Sequence, residues 1–200
     1  MNSFLNHYLP LFLLVNLVVT FIIPSIKVYK QTGINPVTFG SGDTAHDYIG
    51  AVMKFLTGLL IVAVVLSSIS SKAYQYLSPI SYLHNNWLQY VGLALLHIAL
   101  GWTVIGQTQM KQSWRIGIDE KNKTALVTKG LFGISRNPVF LGMITSTICI
   151  FLILPTALTF FIAATSYIVI HIQIRLEEEH LTRQHGTAYK KYKDAVRRFL

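Results

Sequence analysis

Acidic residues and cysteine are both scarce in this chain. Eight Asp and Glu stand against 17 Lys and Arg in 200 residues, charged residues amount to only 12%, and the net charge is +9. The single cysteine, Cys149, excludes an internal disulfide and a cysteine-based metal site, and its apolar surroundings make it a helix-packing residue. His180 and His185 lack the HExxH spacing and have no evident third ligand, which argues against zinc. A sequence pI near 9.7 would suit nucleic acid if the basic residues covered a soluble surface. Yet 52% of the residues are hydrophobic and the mean hydropathy is +0.47. Only Lys27, Lys30, Lys54 and Lys72 precede residue 106, so 13 of the 17 basic residues lie in the second half. That asymmetry excludes an ordinary soluble domain and a nucleic-acid binder, and fits a membrane protein with one basic face.

Crossing about 30 Å of hydrocarbon takes about 20 apolar residues in a helix. The chain offers such runs at 9–28, 49–69 and 88–105. The first has no basic segment before it and no small-residue cleavage site, so it reads as a retained helix, not a leader. The run 139–174 has no charged residue over 36 positions, with Pro155 near its middle. Proline ends a helix, so two short antiparallel helices fit this run better than one long one. The expected fold is an all-α integral membrane protein of about five transmembrane helices. It has a C-terminal helical hairpin at 139–174 and a final amphipathic helix carrying Tyr189 and Tyr192 among lysines and arginines. The expected organisation is a three-helix membrane region at 1–105 and a second region at 106–200 that holds the candidate chemistry. The positive-inside rule puts 106–137 and the tail in the cytoplasm.

Within this frame a few residues invite chemistry. Glu177-Glu178-Glu179 follow the last apolar run. Carboxylates at a helix C-terminus oppose the macrodipole, so either the helix continues through them or a ligand or cation holds them. Pairing with Arg175 as a surface ion-pair patch is the plain alternative. Arg136-Asn137-Pro138 opens the fourth helix, with Asn137 suited to the cap, Pro138 to the first turn and Arg136 adding charge to an anion-binding helix end. The hairpin brings this cationic corner and the acidic cluster to one membrane face, which suits a zwitterionic ligand. His171 lies one turn before Arg175 and either lines a site or bonds between helices. Trp114-Arg115 is an interface anchor or a substrate contact. Gly40-Ser41-Gly42 imitates a dinucleotide fingerprint without the strand that would precede it, and reads as a loop. Gly92 and Gly101 would allow close helix contact, within one bundle or between subunits.

The stretch Arg136-Asn137-Pro138-x-Phe140-x-Gly142, followed after the hairpin by Arg175-x-Glu177-Glu178-x-x-Leu181 and His185-Gly186-x-x-Tyr189-x-x-Tyr192-x-x-x-Val196, resembles the signature of the isoprenylcysteine carboxyl methyltransferase and phospholipid methyltransferase superfamily. The likeness covers roughly residues 110–200. Leu131-Phe132, Asn137 and His185 depart from its usual residues, and Asn137 is a variant of bacterial-type members.

The resemblance implies S-adenosylmethionine bound in a cytoplasm-facing pocket by Arg136, Asn137, Pro138, Phe140, Gly142, Glu177, Glu178, Tyr189 and Tyr192. It also implies a lipophilic or lipidated acceptor entering from the bilayer, with Arg115, His171 and Arg175 toward the acceptor and Arg175 and Glu178 at the chemistry. No dedicated base is evident, which favours a carboxyl acceptor over the amine of a phospholipid-type N-methyltransferase. An NADPH-dependent sterol reductase, whose C-terminal region is similar, and a non-enzymatic membrane scaffold are the other readings.

Overall fold

The structure is a computed structural model, and it describes residues 3–200 except 41. Ser41 of the Gly40-Ser41-Gly42 loop therefore lies outside the described residues. Secondary structure is helical: α1 (Ser3–Leu17), α2 (Ile23–Thr32), α3 (Ala45–Ile69), α4 (Ser71–Gln75), α5 (Asn86–Met110), α6 (Pro138–Ile153), α7 (Ala157–His185) and α8 (Thr187–Ala195). Four helical stretches, Phe4–Thr32, Ala45–Ile69, Asn86–Ser113 and Ala157–His185, are long and apolar enough to cross a membrane, and Pro138–Ile153 is a shorter apolar helix. The five apolar segments expected from sequence are all present.

Helix ends sit where their side chains dictate. Thr44 accepts from the Asp47 amide at the start of α3, and Asn85 from the Trp87 amide at the start of α5. Thr156 and Thr159 form a reciprocal capping box that starts α7 directly after Leu154-Pro155. The first span is not one regular helix, because α1 and α2 are joined by a π-helical turn, Val18–Ile22, just before Pro24. At its other end α7 runs on to His185, so Glu177-Glu178-Glu179 stand inside a helix and do not crowd its C-terminus.

Each end of the bundle is tied by backbone bonds between loops. At one end the Ile80 amide donates to the Pro155 carbonyl and the Ala157 amide to Ser78. At the other, which carries 111–137 and the tail, the Ile116 amide donates to Pro36 and the Thr38 amide to Ile116. Between these ends the core is aliphatic, with Leu5, Leu9, Val64, Leu96, Ile150 and Ile153 in one buried cluster.

The close approach of α5 and α6 uses glycine. A Cβ on Gly142 would lie 2.1 Å from Thr103 Oγ1, and one on Gly92 3.1 Å from the Cys149 carbonyl. Gly92 therefore serves contact within the bundle, whereas Gly101 has nothing within 4 Å of its Cβ position.

Candidate functional site

A cavity of about 200 Å³ opens among α1, α3, α5, α6 and α7. Its lining on α6 runs from Pro138 to Ile150, about 18 Å along the helix axis at 1.5 Å per residue. The end nearest 111–137 is polar, with Arg115, Arg136, Asn137, Gln173 and Glu177 in the wall. The far end is apolar, closed around Phe12, Leu96 and Ile150, which belong to the buried core cluster.

The polar mouth is framed by the chain's C-terminus. Past α8 the backbone runs back over the start of α6, where the Arg136 amide donates to the Arg197 carbonyl at 2.9 Å. Glu178 is the hub beneath it. Its Oε1 accepts from Arg136 Nη2 at 2.9 Å and Nε at 3.1 Å, and its Oε2 from Arg198 Nη2 at 2.7 Å. Arg136 Nη1 is taken by the Lys193 and Val196 carbonyls. The hydrogen bond with Glu178 is the main cause that lifts the Arg198 guanidinium above its ordinary value.

Asn137 stands at the cap position of α6 without capping it. Its carboxamide donates instead to the Arg198 carbonyl at 3.2 Å and to Glu178 Oε1 at 3.5 Å, while the Asn137 amide is met by Ser135 Oγ. The expected helix cap is thus replaced by a bond to the tail.

Adjacent carboxylates diverge sharply. Glu177 lines the cavity, whereas Glu178 does not and is spent on the two arginines. Glu179, one further along, pairs with Arg183 on the exposed surface. Helical geometry explains the split, since successive residues are turned by about 100° and face different neighbours.

Other residues singled out from sequence fall in different places. Phe140 and Pro138 line the cavity. Gly142 instead permits the α5–α6 contact. Tyr189 and Tyr192 are buried beside each other and away from the cavity wall, with Tyr192 donating to the Phe132 carbonyl at 2.7 Å. Burial raises both phenols, Tyr192 to about 12. Arg175 is exposed, not buried at the interface, and donates to the His171 carbonyl at 2.7 Å. It does not pair with Glu178 or Glu179. His171 packs its ring on Tyr167 and Phe199, outside the cavity.

The segment after α5 does reach the site. Trp114 is buried and lines the cavity with Arg115, Ile116 and Gly117. Gly117 has φ +96°, and its amide neighbour Ile118 donates to His46 Nε2, which docks this loop on α3. Arg115 Nε donates to Asp119 at 2.8 Å and its Nη1 to the Gln112 and Trp114 carbonyls. Burial pushes the Asp119 carboxyl up, but hydrogen bonds from Arg115, Asn122 and Lys121 outweigh it and hold the group below its ordinary value. Arg115 Nη2 is the guanidinium nitrogen not engaged by the protein among the described residues.

Sequence reasoning passed over Gln107 and Gln173. Both line the cavity, and they are 8% and 1% exposed. Gln173 has both side-chain polar atoms buried without a partner, and Gln107 has its Oε1 so. Their signal was present as amides within apolar helices, where a polar side chain is costly unless it meets a partner or a ligand.

A family profile described as phospholipid methyltransferase matches residues 87–188. No match is found among curated proteins. Among solved structures the chain is similar to the eukaryotic intramembrane Ras methyltransferase ICMT, isoprenylcysteine carboxyl methyltransferase. The TM-score is 0.53 at 16% identity, covering 93% of this chain and 71% of that one. The profile spans α5 to the end of α7, where the α6–α7 hairpin and the Arg136–Glu178 junction lie, and stops at the start of α8. The chain belongs to the phospholipid methyltransferase family, within the superfamily of membrane methyltransferases that shares its fold with isoprenylcysteine carboxyl methyltransferase.

Proposed function

We propose that the protein transfers a methyl group from S-adenosylmethionine to a lipophilic acceptor that enters from the bilayer, at a site facing the cytoplasm. The observation that carries this reading is one cavity with a polar mouth and a largely apolar shaft, extending about 18 Å in all along α6. The mouth fits the cofactor through both polar atoms of Gln173, buried without a partner, and through Glu177 and Arg115 Nη2, which no hydrogen bond engages among the described residues. S-adenosylmethionine supplies an electrophilic methyl on a sulfonium. Glu177 would hold its ammonium or ribose hydroxyls, while Arg136 and Asn137, whose nitrogens are engaged by Glu178 and the tail, would shape the mouth around it. Residues 106–200 supply this polar wall, while α1 and α3 complete the shaft.

Transfer needs alignment and a matched electrostatic surrounding, which the buried walls provide. The acceptor favoured is a carboxylate of isoprenylcysteine type, already deprotonated at neutral pH and oriented by Arg115 Nη2. One observation favours a second reading, phospholipid-type N-methylation. Arg136 and Arg115 are each neutralised by a carboxylate, leaving Glu177 as a carboxylate in the wall that takes the proton an amine must lose.

Calorimetric titration with S-adenosylhomocysteine tests the reading, with NADPH as control ligand. The wild type is expected to bind the homocysteine product and not NADPH. Glu177→Gln is expected to weaken binding at least about tenfold, the loss of one charge-assisted bond, with Arg175→Ala unchanged. Binding of NADPH alone would point to a reductase, and silence from both to a scaffold.

A further inference from the structure

The first span carries a built-in vacancy. Pro24 has no N–H, so in a helix the carbonyl four residues before it, that of Thr20, loses its regular partner. The chain relaxes there into the π-helical turn Val18–Ile22, a form that recurs at functional sites. Gln107 of α5 fills the vacancy, its Nε2 donating to the Thr20 carbonyl at 2.8 Å. Because a carbonyl can only accept, this bond fixes which end of the carboxamide faces α1. Oε1 must then be the free end, and it is buried, in the cavity wall and without a donor from the protein.

A buried acceptor atom left unmet is costly, and here the protein has locked it in place. Its surroundings say which ligand it waits for. Glu177, Arg136 and Asn137 lie on the α6–α7 wall, whereas Gln107 is held against the first span, whose Asn16, Leu17 and Thr20 line the cavity. Gln107 follows Gly106, which packs on Pro138 and Val139 at the start of α6, so it stands near the polar mouth with the largely apolar shaft beyond, the position of an amphiphile's headgroup.

We propose that Gln107 Oε1 selects the methyl acceptor by accepting a hydrogen bond from an N–H or O–H beside the methylated group. The substrate class is then an amphiphile with a donor in its headgroup, such as an acylated amino acid or a primary-amine lipid, and not a simple fatty acid or a fully substituted ammonium lipid. This rests on the methyltransferase reading above and narrows its acceptor.

The test measures binding to protein saturated with S-adenosylhomocysteine, for two matched pairs of probes. One pair is N-acetyl-S-farnesylcysteine and 3-(farnesylthio)propionate, which lacks the N–H. The other is phosphatidylethanolamine and phosphatidylcholine. In at least one pair the donor-bearing member is expected to bind at least about tenfold tighter, since a site built for a hydrogen bond discriminates against ligands lacking it. Gln107→Met, similar in shape but without the amide, should bring that ratio near one while S-adenosylhomocysteine still binds.

Pro24→Ala, which lets the turn return to α-helical register and give the Thr20 carbonyl an N–H in place of Gln107, should lower the ratio with Gln107 intact. It decides alone if Gln107→Met loses the fold. No preference in either pair, or a preference that survives the deciding variant, would overturn the proposal. Failure of the wild type to bind S-adenosylhomocysteine would instead overturn the reading on which it rests.

Discussion

The two ends of the bundle are held by different physics. Toward the 70–85 loop and the hairpin tip, α1, α3, α5 and α6 meet through aliphatic side chains such as Leu9, Val64, Leu96 and Ile153. At the other end, Glu178, Arg136, Arg198 and Asn137 fasten the tail over the start of α6 with directional, charged bonds. Apolar packing tolerates small shifts, whereas a guanidinium fork on a carboxylate fixes position and angle. The end carrying the cavity mouth is thus specified by charged, directional side-chain bonds, and the end that closes the shaft chiefly by aliphatic fit, with backbone bonds between its loops. That difference also explains why Glu178, conspicuous in the sequence, serves as an anchor while its neighbour Glu177 faces the cavity.

Removing the polar hub should have the largest effect. Glu178→Ala leaves Arg136 buried without its counter-charge, and breaking such pairs costs about 3–5 kcal/mol. The lower end is expected, because the Arg198 side chain is one-third exposed and screened. Denaturation in detergent micelles should show this loss, together with loss of S-adenosylhomocysteine binding.

At the opposite end Ile153→Ala should cost less, about 2 kcal/mol, with cofactor binding retained. The low value within the usual range follows because lipid is as apolar as the core, so chiefly packing is lost. A cost equal to or above that of Glu178→Ala would mean that the polar hub is not what specifies the mouth end.

Tyr192→Phe, at the mouth end, should have the smallest effect. Loss of the bond to the Phe132 carbonyl should cost about 1 kcal/mol at neutral pH. The phenol is raised from 10.0 to about 12 in the fold, chiefly by burial, so folding favours its neutral form. The advantage of the wild type over Tyr192→Phe should be full below pH 10, and fall as pH rises from 10 through about 12. Paired unfolding measurements across that range check both size and sign.

The sequence by itself determined the helices, because span length and apolar content are local properties. The runs at 9–28, 49–69 and 88–105, and the break at Pro155, all reappear as helices and a hairpin. It also pointed to the motifs around Arg136 and Glu177-Glu178, which that hairpin brings together at the candidate site. Which carboxylate faces the cavity was decided only by the tertiary structure. That depends on the rotation of α7 against α6 and on a C-terminal tail that brings Arg198 beside Glu178. The same holds for Asn137, turned from a cap to the tail, and for Arg175, left on the surface. Gln107 and Gln173 were visible as amides in apolar helices, yet only the packed bundle shows that their polar atoms go unmet. Whether a polar group has a partner is a property of distant segments meeting, and no local pattern encodes it.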